Sequence, residues 1–195
     1  MRNRRLWMVL GGIVALCAAF LFLSFRASVS NTQAEKNSVS MSSGDRLPDA
    51  MQRRDKISIA VVGEGPLVST LQDALAAEIR KSGMGEFELV PGIEPAFPNP
   101  VLIVKVGNPS LIWTPFFATS QFSIEAGFAS NGDTTFMGDT PITYNSIDGP
   151  TLNMSADYKI SDQSWGLISL PGYHQFLAEY LAKQIVASLK DLYKV

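Results

Sequence analysis

The sequence predicts an α+β protein: a single N-terminal transmembrane helix, a flexible linker, and a two-layer α/β sandwich in which two helices share one face of a mixed or antiparallel sheet. Three observations predict it. Residues 6–25 form an uncharged apolar run, two later segments repeat large apolar residues at i+4 steps, and two others alternate apolar and polar side chains.

The run LWMVLGGIVALCAAFLFLSF covers residues 6–25, and at 1.5 Å per residue such a helix spans about 30 Å, the thickness of a bilayer's hydrocarbon core. Arg2, Arg4 and Arg5 precede it and only Arg26 follows closely, so the positive-inside bias keeps residues 1–5 in the cytoplasm. The expectation is a single-pass signal anchor in the cytoplasmic membrane, with the rest of the chain outside. The competing reading is a signal peptide cleaved near Ser28-Val29-Ser30, although the run exceeds the usual length of such an apolar core. Cys17 follows Leu16 within the run and reads as a small apolar residue. Residues 26–55 are rich in Ser, Asn, Gln and Asp, contain no aromatic side chain, and read as a flexible linker.

Residues 56–195 are expected to form one extracytoplasmic α+β domain. Ile57-Ser58-Ile59-Ala60-Val61-Val62 suits a buried strand, and Gly63-Glu64-Gly65-Pro66 breaks it. Leu67, Leu71, Leu75 and Ile79 then mark a helix that Gly83 ends. Residues 87–90 and 101–106 are further strands, separated by a proline-rich loop. Phe122, Ile124, Ala126 and Phe128 alternate with polar neighbours, as do Leu152, Met154, Ala156, Tyr158 and Ile160. Leu177, Leu181, Ile185 and Leu189 mark a closing helix after Pro171-Gly172. The order is β-α-β-β-β-β-α, and each helix has one apolar stripe to lay against the sheet.

Charge narrows the function classes. Residues 1–55 carry 8 basic and 4 acidic side chains, whereas residues 56–195 carry 8 and 14, so the domain stands at −6 within a total of −2. Such a domain repels polyanions, which argues against nucleic acid as a partner. A single Cys excludes a disulfide framework and a Cys-built zinc site.

No residue earns a catalytic, cofactor-binding or metal-binding assignment. Gly63-x-Gly65 lies where a dinucleotide loop would, but Val68 replaces the third glycine, and Glu64 and Pro66 oppose pyrophosphate binding. His174 is the one histidine, so a catalytic triad or a multi-imidazole metal site has little to draw on. Asp133, Asp139, Asp148, Asp157 and Asp162 lack calcium-loop spacing and read as turn or wet-face residues. The stretch Leu111-Ile112-Trp113-Thr114-Pro115-Phe116-Phe117 is the most unusual. Its rings either plug one end of the core or form an exposed partner-binding patch, with Trp113, Phe116 and Phe117 as the candidate residues.

The element order is similar to that of several bacterial envelope assembly proteins, among them the N-terminal domain of the Tol translocation protein and the lipopolysaccharide-assembly lipoprotein. That resemblance implies an assembly role. The expected function is thus a membrane-anchored extracytoplasmic binding or envelope-assembly module without catalytic activity. It would be held to the membrane through residues 6–25 and would meet a protein partner in the cell envelope. The alternative is an envelope-directed hydrolase using the loop carboxylates and His174.

Overall fold

A computed structural model describes residues 2–43, 56–134 and 151–192. Helix α1 (Arg2–Phe22) leads into strand β1 (Arg26–Ser43), followed by β2 (Ile57–Val62), α2 (Pro66–Ser82), β3 (Phe87–Val90), β4 (Val101–Val106), β5 (Ser110–Thr114), β6 (Phe117–Ala129), β7 (Thr151–Ile168) and α3 (Leu170–Leu192). The seven strands form one mixed sheet in the order β1-β7-β6-β4-β2-β3, with β5 pairing β6. β2 runs parallel to β3, because helix α2 carries the chain back along the sheet, and parallel to β4, which the loop 91–100 returns to the same starting end. All other pairings are antiparallel.

Local chemistry sets the helix ends. Pro66 occupies the first turn of α2, where its missing N–H costs nothing, and Gly83 caps the other end with φ 69°. Leu71, Leu75 and Ile79 of α2 and Leu181, Ile185 and Leu189 of α3 are buried against Ile59, Leu102, Phe128 and Tyr158. Both helices therefore lie on one face. Opposite them, Phe97 from the proline-rich loop covers Ala60, Val101 and Ile103 of β2 and β4. Among the described residues, no helix lies on that second face at the broad end of the sheet, formed by β5, β6, β7 and β1.

Two expectations about the N-terminal third do not hold. Among the described residues, no helix is long and apolar enough to cross a membrane. The transmembrane anchor, and the single-pass placement in the cytoplasmic membrane drawn from it, are corrected accordingly. The reason is how the apolar run divides. α1 takes in Arg2, Arg4 and Arg5 and stops at Phe22, so the charged residues join the helix while the end of the apolar run does not. The last residues of the run leave the helix. The Phe25 N–H donates to Ser169 Oγ at 2.8 Å, and the Phe25 carbonyl accepts from the Ser169 N–H at 3.1 Å.

The second correction concerns residues 26–43, which were expected within a linker. They pair with β7 along their whole length, from Arg26↔Ile168 to Ser43↔Thr151. Residues 44–55 lie outside the described residues. β7 and α3 are cut to receive this strand. A Cβ on Gly166 would sit 2.4 Å from the Ala27 carbonyl oxygen, and one on Gly172 would sit 2.4 Å from that of Phe25. Only glycine fits either place.

Candidate functional site

Register fixes what the uncovered face presents. Residues directly opposite one another across antiparallel strands point the same way. One outward row runs Val29↔Trp165↔Phe117↔Thr114, and the next runs Asn31↔Gln163↔Thr119↔Ile112. Further along, Glu35 stands opposite Lys159, and Glu125 opposite both Asp157 and Lys105. The face is therefore banded: apolar at the end nearest α1, neutral polar next, charged beyond. At the apolar end Val29 is 79% exposed, Phe116 64%, Ile112 61%, Trp165 61% and Leu167 46%. The rings of Phe117 and Trp165 are 4.3 Å apart.

The turn that displays Phe116 is tightly tied. Thr114 Oγ1 accepts from the Phe117 N–H and donates to the Phe117 carbonyl, both at 3.0 Å. The Gly166 N–H donates to the Phe116 carbonyl at 3.0 Å and the Ile168 N–H to that of Pro115 at 2.9 Å. A rigid backbone thus holds an aromatic ring in water, which is how contact residues are preorganised.

Of the three aromatic candidates, Phe116 and Phe117 lie on this patch and Trp113 does not. Trp113 turns to the helix side, packs against the core, and donates from Nε1 to the Ile168 carbonyl at 3.2 Å. Sequence reasoning missed Val29, Trp165 and Leu167 as patch residues. A usable signal was present: the odd-numbered, outward positions of β7 change from Asp157, Lys159 and Ser161 to Trp165 and Leu167.

Beneath the patch, on the helix side, the core is polar. Asp162 is fully buried, not the turn or wet-face residue its composition suggested. Its carboxylate accepts from Thr32 Oγ1 at 2.7 Å, from Ser164 Oγ at 2.9 Å and from the Tyr173 hydroxyl at 2.7 Å. Tyr173 Oη also lies 3.0 Å from Ser120 Oγ. Ser164 Oγ is 2.5 Å from Ser30 Oγ, which accepts in turn from the Arg26 guanidinium. That guanidinium lies 3.5 Å from the centre of the Phe176 ring. Burial lowers the Arg26 pKa, and the Asp162 charge partly opposes the shift. Burial drives the Tyr173 pKa well above the ordinary phenol value, so the phenol stays a donor.

Along three adjoining strands the usual amphipathicity is thus inverted. Ser30, Thr32, Ser120, Asp162 and Ser164 face inward, while Val29, Phe117, Trp165 and Leu167 face outward.

Catalytic groupings find little here. His174, half-buried at the start of α3, has its pKa lowered by burial. Asp133 follows the far end of β6, a strand of 13 residues and hence about 40 Å long. Asp139 and Asp148 lie outside the described residues. Among the described residues, no group of three or more His, Cys, Asp or Glu is placed to hold a metal. A Cβ on Gly63 would meet the Val106 carbonyl oxygen at 2.6 Å, so packing at φ 146° accounts for that glycine. An open groove of about 630 Å³ between α2 and α3 is bordered by Asp73, Glu78 and Glu179 against Lys81 and Lys183.

No family model matches the chain, and no curated protein matches it. Among solved structures it is similar to two PelC dodecamers from Paraburkholderia phytofirmans, one of them a point variant. The TM-scores are 0.41 and 0.40 at 13% identity, over 77% of this chain and 95% of PelC. A likeness of that strength establishes neither a shared fold nor a shared function.

Proposed function

We propose that the chain is a non-catalytic binding and assembly module that docks another protein on the apolar end of its helix-free sheet face. The inverted amphipathicity carries this reading. A strand end that serves only the fold buries its apolar side chains and wets its polar ones. Here the arrangement is reversed, and the polar groups around Asp162 are matched to one another by hydrogen bonds, although Arg26 Nε and Ser28 Oγ nearby are buried without a partner. The exposed apolar set is therefore not an accident of a poor core.

Its size is adequate. Five large side chains exposed by 46–79%, at about 200 Å² each when free, present roughly 600 Å². That is the upper end for a monomer's largest apolar patch and close to one side of a standard interface. Trp and Phe on a rigid turn are suited to carry most of the binding energy.

A photo-crosslinking residue at Phe116 tests this, with a second at Lys183 on the helical side as the control. Protein adducts from Phe116 that disappear on Trp165→Ser, and none from Lys183, are the expected result. Equal labelling from both positions, or none from Phe116, would contradict the proposal.

A further inference from the structure

We infer that the protein docked on this face is a second copy of the same chain, in a two-fold pair; this rests on the binding-module reading above. Charge distribution selects the partner. The whole chain, β1 included, carries a net charge of only −2, so two copies repel weakly, and they can pair where charge lies away from the contact centre. The face meets that condition. The Val29–Trp165–Phe117 row and the first charged row, Glu35 opposite Lys159, are six residue steps apart along β1, about 20 Å. Every outward side chain between is Asn, Gln, Ser or Thr apart from Ile112.

The charges beyond nearly cancel, since Glu35 faces Lys159, and Lys105 lies 4.0 Å from Glu125. A foreign partner recruited by the acidic surplus would be read at the opposite end, where Glu86, Glu94 and Asp133 lie, and not here. A neutral apolar patch of roughly 600 Å² meeting its own copy buries roughly 1,200 Å² in total, the lower bound of a specific interface. Because both sides offer the same residues, the contact is isologous and closes as a pair without propagating.

Sedimentation velocity of the full chain over a dilution series tests the inference. A monomer–dimer equilibrium is expected, weakened at least tenfold by Trp165→Ser and by Phe116→Ser and little changed by salt. Both side chains are exposed, so circular dichroism should match the parent. A monomer at every concentration, a dimer untouched by both substitutions, or one dissolved by salt would overturn it. A monomer whose Phe116 crosslinks still reach another protein ends the second-copy assignment alone. Absence of both dimer and crosslinks ends the binding-module reading as well.

Discussion

Replacing Asp162 by Ala is the sharpest perturbation of the N-terminal strand's docking. Three hydroxyls lose their acceptor, those of Ser164 and Tyr173 buried and that of Thr32 part-buried. Two have fallbacks, because Ser164 retains Ser30 at 2.5 Å and Tyr173 retains Ser120 at 3.0 Å. Thr32 has none among its described contacts, and an orphaned buried hydroxyl costs about 1–3 kcal/mol. Arg26 also loses the carboxylate that most offsets its desolvation, and keeps only the weaker influence of Glu179. Losing three hydrogen bonds to a charged acceptor, two of them partly replaced, totals about 2–4 kcal/mol. In urea, with a slope near 2 kcal/mol/M, the midpoint should fall by ~1–2 M. Asp162→Asn keeps an acceptor for Thr32 and should cost about 1–2 kcal/mol. Asp157→Ala, exposed on the same strand, should stay within about 0.5 kcal/mol. Hydrogen exchange should show amides 27–33 losing protection before those of β2 and β4. A loss below 1 kcal/mol for Asp162→Ala, or unchanged protection over 27–33, would refute the sealed network and with it the docking of β1.

Other outcomes follow from the same structure. Gly172→Ala drives a methyl to 2.4 Å from the Phe25 carbonyl oxygen; an overpacking loss of about 1–3 kcal/mol is expected in urea unfolding, with faster exchange at Phe25 and Arg26. His174 has a folded-state pKa below its unfolded value, so the unfolded chain takes up its proton first and stability declines as pH falls through about 6.5. His174→Gln should flatten that part of the stability–pH curve. Tyr173 has the opposite sign, its folded-state pKa being raised; its contribution is intact at neutral pH and lost as pH rises through about 10. Tyr173→Phe should remove that alkaline slope while lowering stability at neutral pH.

Elements that bury a single apolar face were readable from the chain. Leu71, Leu75 and Ile79 announce α2, and Phe122, Ile124 and Phe128 announce the central part of β6, because burial alone decides their faces. β1 escaped because Ser30 and Thr32 are held inward by hydrogen bonds to Ser164 and Asp162 rather than by apolar burial. In RASVSNTQAEKNSVSMSS the alternation of hydropathy is confined to short stretches at 27–30 and 38–42, and the polar run between them breaks it. The apolar run was overextended because hydropathy does not distinguish Phe22 in a helix from Phe25 tied to Ser169. The alternation of β7 was followed to Ser161 and lost at Asp162, where the pattern inverts. That inversion hid half of the candidate site. Phe116 and Phe117 stood out by local aromatic density, whereas Trp165 and Val29 join them only through strand register.

The central claim is that the helix-free apolar end is a docking surface. Hydrogen exchange on the full chain, compared between dilute and concentrated solution, addresses it most directly. Added protection confined to residues 27–31, 112–119 and 163–168, and abolished by Trp165→Ser, is the predicted result. Protection that falls instead on α2 and α3, or no change with concentration and no crosslinks at Phe116, would contradict it.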